Sequence, residues 1–153
     1  MEKKRKKHGI YRRLTAFLML LVFNFNVFGN NIVVDPVSIG TRATKTASGI
    51  DQIDIARPNA RGTSYNRLSE LQVSEQGLIL NNNKQVVVDT EIAGLVARNR
   101  NLDNGQEANL IITEVTGKNM TNINGYVEVA GKRADIVIAN RNGIAVNGGG
   151  FLN

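Results

Sequence analysis

The stretch GYVEVAGKRADIVIANRNGIAVNGGGFLN, from Gly125 to Asn153, decides how the rest of the chain is read. Two short apolar runs, Ile136–Ile138 and Ile144–Val146, begin eight residues apart with Asn140-Arg141-Asn142-Gly143 between them. That gap cannot hold the helix of a βαβ crossover, which needs about a dozen residues or more. The chain therefore turns a polar corner between two very short strands. Two faces of one parallel β-helical coil fit this spacing, and so does a loose hairpin.

Working outward, similar runs occur at Ile32–Val34, Leu78–Leu80, Val86–Val88, Leu110–Ile112 and Tyr126–Val129, and no long helical period follows residue 30. Short strands separated by turn signals indicate an all-β domain. From Asn30 on, Asn supplies 18 of 124 residues and Gly 13, a density suited to a corner every few residues. An antiparallel sandwich would show tight two-residue turns and alternation along whole strands. A parallel β-helix would show strands this short, polar corners and like residues on successive coils. Gly40–Arg67 is smaller and more polar, with one alternating segment from Ile50 to Ile55. It is expected to form loops and a strand that caps the first coil, because an uncapped coil exposes an unpaired edge.

Charge and composition exclude several functions. Residues 1–13 hold seven of the 19 basic residues and one of the 13 acidic ones, which accounts for the whole net charge of +6. From Asn30 on, basic and acidic residues balance, so the body loses the electrostatic footprint of a nucleic-acid binder. Cysteine is absent and the one histidine is His8. A body without thiol or imidazole supports neither Ser-His-Asp or Cys-His catalysis nor the usual zinc sites, and no cofactor is expected.

The amino terminus has the grammar of a secretory leader. Lys3 to Lys7, Arg12 and Arg13 make a positive segment, Leu14–Phe28 an apolar one, and Val27 and Gly29 the small-residue pair before a cut between Gly29 and Asn30. The apolar stretch is 15 residues long and is broken by Asn24 and Asn26, short of the roughly 20 that span a bilayer. Residues 1–29 are expected to be removed on export, leaving a domain over 30–153.

Across that domain an ordered series of segments resembles the amino-terminal secretion domain of two-partner-secreted exoproteins, the haemagglutination-activity domain of filamentous-haemagglutinin-type adhesins and contact-dependent inhibition proteins. The segments are Ile32–Pro36, Ile53–Pro58, Gly62–Asn66, Gly77–Asn82, Asn109–Val115, Gly125–Ile144 and Asn147–Asn153. The family's NPNL tetrapeptide stands here as Asn99-Arg100-Asn101-Leu102, and its NPNG as Asn140-Arg141-Asn142-Gly143. Asn-Pro presets a type I turn in which the Asn side chain bonds the backbone two residues on. Arg adopts the same backbone without the fixed φ of proline, and the expected loss is about 0.4–1 kcal/mol per site. The Asn residues serve either to hold coils in register or to contact a partner.

The resemblance implies a right-handed parallel β-helix with an amino-terminal β cap, without enzymatic activity. It implies recognition by the periplasmic domains of an outer-membrane two-partner transporter in a Gram-negative bacterium, and secretion or surface display by way of the periplasm. Ala108–Val115 and Gly125–Ile138 are candidate contact segments, with core packing the expected role of their apolar members. The family's module continues beyond the GGGFLN-like end, so a chain truncated at its carboxy-terminal side is expected, with contacts to a host or neighbouring cell made by regions outside it. Two alternatives stay open: the first part of a contact-dependent growth inhibition toxin carrier, or a β-helical polysaccharide-binding or -degrading protein in which two carboxylates would converge.

Overall fold

A computed structural model describes residues 31–153, so the leader and its cut between Gly29 and Asn30 lie outside the described residues. Thirteen strands follow one another, and the described residues contain one 3-10 turn at Arg100–Leu102 and no α-helix. Successive strands climb an axis in three-sided coils. The first coil consists of β3 (Asp51–Asp54), β4 (Thr63–Leu71) and a bridge at Val73; the second of β5 (Leu78–Asn82), β8 (Leu110–Val115) and β9 (Thr121–Ile123). The third consists of β10 (Tyr126–Gly131), β11 (Asp135–Asn140) and β12 (Ile144–Val146), and β13 (Gly150–Leu152) opens the next turn. Pairing between coils is parallel on every side: β3, β5, β10 and β13 form one wall, β4, β8 and β11 the second, and β9 and β12 the third. The fold is a parallel β-helix, and the corner at Asn140–Gly143 joins two faces of one coil.

Stacking puts like positions one above another. Ile53, Leu80 and Val129 form one inward column, Leu68 and Val115 share a second, and Val73 lies below Ile123 and Val146 in a third. Ile53, Leu68, Leu80, Val73 and Ile123 are almost fully buried in one continuous core. Each such aliphatic side chain contributes roughly 1.5–3 kcal/mol over an exposed one.

Two departures from the sequence expectation have physical causes. The segment Ile50–Ile55 does not cap the helix; β3 lies within it and pairs in parallel with β5. The cap is made by two antiparallel strands, β1 (Ile32–Val34) on β4 and β2 (Arg42–Lys45) on β3. Alternation at 50–55 marks a strand with one covered face, a property coil strands and cap strands share. The second departure is β4, the longest strand at nine residues, which begins inside the expected loop region. Its inward positions include Ser64 and Asn66, so the apolar alternation is missing. Both are fully buried and hydrogen-bonded: Asn66 Oδ1 accepts from Thr41 Oγ1 and the Ala56 N–H, and Ser64 Oγ donates to Ala56 O.

Val86–Val88 corresponds to a strand that leaves the helix. β6 (Val87–Thr90) and β7 (Gly94–Ala97) form an antiparallel hairpin inserted between β5 and β8. It covers the outer face of the first wall through Ala93 and Val96 against Ile79 and Ala130. That cover explains why every residue of β5 is buried.

Candidate functional site

The two altered tetrapeptides close alike and lie in different surroundings. In the first, Asn99 Oδ1 accepts the Asn101 N–H at 3.0 Å and Asn99 O accepts the Leu102 N–H at 3.1 Å. In the second, Asn140 Oδ1 accepts the Asn142 N–H at 2.9 Å and Asn140 O accepts the Gly143 N–H at 3.1 Å. Both turns therefore form with arginine in the proline place. Arg100 is the first residue of the 3-10 turn that Asn99 caps, where a backbone N–H has no partner within the turn and proline would forfeit little. Gly143, at φ 105°, takes the left-handed conformation that ends the second turn.

The first turn is a clamp. Asn99 is 1% exposed, and its Nδ2 donates to Ile55 O and Asn81 O, both at 2.9 Å. Asn101 Nδ2 donates to Gly40 O at 2.7 Å and Ile55 O at 2.8 Å. Leu102 is fully buried. Four residues thus join the cap, the first coil and the second coil, and each of these side-chain bonds ends on a backbone carbonyl: the exposed one of Gly40, the buried one of Asn81, and that of Ile55 twice.

The second turn lies on the surface. Arg141, Asn142 and Gly143 are exposed and Asn140 is half-buried. Asn140 Nδ2 donates to Asn119 O at 3.0 Å and Thr121 Oγ1 at 2.9 Å, and Asn142 Nδ2 donates to Gly117 O at 2.7 Å. This turn holds the third coil to the second and still presents side chains to solvent.

Of the candidate contact segments, β8 buries Ile111 and Val115 and turns Leu110 and Ile112 outward, half-buried, while β10 is enclosed by β5 and β13. Sequence inspection overlooked two further features. Glu128, 7% exposed on the outer face of β10, accepts the Glu91 and Ile92 N–H groups at 2.8 and 2.9 Å and anchors the hairpin turn. A cleft of about 270 Å³ lies beside the first turn, lined by Arg42, Asp54, Arg98, Asn99, Arg100 and Asn101. Its residues come from β2, β3 and the segment after β7, so nothing local in the sequence announces it. It contains one carboxylate, Asp54, and so does not assemble the pair that glycoside hydrolysis uses. Among the described residues no cluster of three or more His, Cys, Asp or Glu could hold a metal.

A family profile described as the TPS secretion domain matches residues 32–153, all of the capped helix. The chain belongs to the TPS secretion domain family. It is 47% identical over 142 residues to the 16S rRNA endonuclease CdiA of Enterobacter cloacae, covering 93% of this chain and 4% of that protein. It is 35% identical over all 153 residues to the hemolysin of Proteus mirabilis, covering 10% of that protein. The solved filamentous hemagglutinin secretion domain superposes with a TM-score of 0.71 at 33% identity, covering 80% of this chain and 39% of that one. The TPS secretion domain is a non-enzymatic module, a component of secreted or surface exoproteins of Gram-negative bacteria, and membership implies a cognate outer-membrane transporter as partner. The chain spans about 4% of the length of the CdiA relatives, and the endonuclease name belongs to that much longer protein.

Proposed function

We propose that this TPS domain is grasped in the periplasm by the periplasmic domains of its transporter, after residues 1–29 have directed export and been cut off between Gly29 and Asn30. The domain acts by being bound and transforms no substrate. The observation that carries this is the superposition on the filamentous hemagglutinin secretion domain over 80% of the chain. The division of labour between the turns follows: Asn99, Arg100, Asn101 and Leu102 fix the geometry of the first coil and its cap, and Asn140, Arg141, Asn142 and Gly143 offer the exposed contact. Attachment to a host or neighbouring cell belongs to parts of the exoprotein outside this chain. The exoprotein in this reading is a large adhesin of the haemagglutinin type, as the match to the filamentous hemagglutinin secretion domain supports, and the similarity to CdiA is equally compatible with a contact-dependent toxin carrier.

The test is secretion of the chain fused to a reporter, in cells with and without the transporter. Reporter activity in the medium that requires both the transporter and residues 1–29 is the expected result. Release without the transporter, or capture of the reporter in the cytoplasm, would sink the proposal.

A further inference from the structure

The clamp accounts for the asparagines of the first turn and leaves the arginines beside it without a role. Arg42, Arg98 and Arg100 converge on the cleft from different elements. Arg98 Nη1 lies 3.6 Å from Asp103 Oδ1, and neither Arg42 nor Arg100 has an ion-pair partner among the described residues. Asp54, the carboxylate inside the cleft, is held by the side-chain amides of Gln52 at 2.7 Å and Asn81 at 2.8 Å, both on Oδ1. The amide groups of Asn99 and Asn101 donate to backbone carbonyls, which makes the floor rigid. Three guanidinium groups against the carboxylates of Asp54 and Asp103 leave a surplus of one positive charge, in a body whose overall charge is balanced.

We propose that this cleft receives the carboxylate of an acidic side chain on an extended segment of the transporter's periplasmic domains. Planar guanidinium forks match a carboxylate with paired hydrogen bonds, and one negative charge completes the local balance. A dianionic phosphate would overshoot that balance and face Asp54. The segment has a place to lie. β2, which carries Arg42, is the last strand of its wall and is hydrogen-bonded to β3 alone among the described strands, so a partner strand can add along its outer edge. The cleft thereby becomes a second contact, beside the cap, separate from the exposed turn at Asn140. This inference rests on the secretion-module reading.

The experiment is calorimetric titration of the chain from Asn30 on, the form left once the leader is cut, with the transporter's periplasmic domains, at about 50 and about 300 mM NaCl to vary screening. The unaltered chain is compared with an Arg42→Gln/Arg98→Gln/Arg100→Gln variant and with Arg61→Gln, an exposed arginine away from the cleft. The triple variant is expected to bind about tenfold more weakly or worse at low salt and to lose most of the salt dependence, while Arg61→Gln changes little. A difference under about twofold, with far-UV circular dichroism unchanged, overturns the cleft as a contact. So does self-association of the triple variant with partner affinity retained, which would make Arg42 a guard of the β2 edge and no more. Stronger competition by inorganic phosphate than by acetate at equal ionic strength overturns the carboxylate assignment. Failure of the unaltered chain to bind at all overturns the secretion reading and the cleft together, and binding indifferent to the three arginines overturns the cleft alone.

Discussion

Asn99 and Asn140 make the same local bond and differ in what surrounds it, which separates structure from recognition at single positions. Replacing Asn99 with Ala removes the amide bonds to Ile55 O and Asn81 O and the acceptor of the Asn101 N–H, all at a buried position, while Ile55 O keeps its bond from Asn101, at a cost of about 1–3 kcal/mol. Asn140→Ala loses bonds that water can replace and costs about 1 kcal/mol. Urea unfolding of both variants checks the difference, and equal losses would remove the distinction between clamp and exposed turn. Asp35 is a second informative residue. Its carboxylate accepts from Thr116 Oγ1 and the Val37 N–H and lies near Arg67, and these hold its pKa below the usual carboxylate value. A carboxyl group with a lower pKa in the folded state than in the unfolded state lends stability that is fully present above the unfolded value of about 4. That contribution disappears as pH falls through the depressed folded value. Asp35→Asn should therefore flatten the acid limb of the stability curve below about pH 4 while leaving the alkaline limb unchanged. Thermal melts across that range decide it, and an unchanged acid limb would remove Asp35 from the account.

At the level of elements, the coils repeat one device that composition could not display. Where the first wall turns into the second, each coil sets a nearly buried alanine whose backbone groups are taken by side chains: Ala56 by Asn66 and Ser64, Ala108 by Asn82, Ala134 by Asn153. The sequence showed abundant Asn at corners, and hence a coil with many turns, because Asn bonds backbone locally. Which carbonyl each amide reaches was not legible, since the partners lie as far apart as Asn99 and Ile55. The β4 strand was hidden for the same reason, its inward Ser64 and Asn66 reading as loop. The arginine cleft was invisible because its charges come from three separate segments. The hairpin β6–β7 was read as one more strand, because what holds it against the wall lies far off in sequence: Glu128 and Ser48 on its turn, and Asn81 and Asn83 on β7. Glu128→Gln replaces one of its two acceptor oxygens with a donor, leaving a hairpin N–H unpaired at about 1–3 kcal/mol. Amides of residues 86–98 should then exchange faster while those of β4 and β8 hold their rates. Uniform acceleration over the whole helix would show that the hairpin is not a separable unit.

Across the described residues, burial falls along the helix axis toward the third coil, on which only β13 is stacked. β4 buries Ser64, Asn66, Leu68 and Leu71, and β8 buries Ile111, Thr113 and Val115, beneath a cap that contributes Ile32. β11 fully buries none of its residues; Ile136 and Ile138 pack on the core while partly open, and β12 exposes Ile144 and Val146. In a stacked array each coil draws its stability from its own packing and from its neighbours, so coils of unequal burial open at unequal free energies. Amide protection should therefore be greatest in β4, β5 and β8 and fall through β10 to β11 and β12. Hydrogen exchange followed by mass spectrometry resolves that order. The cap would open late, because β1 and β2 are bound to the most protected coil and the Asn99 clamp fastens them there. The Asn140 turn would open early, because it sits in the coil with least burial. Equal protection of β4 and β11 would contradict the gradient.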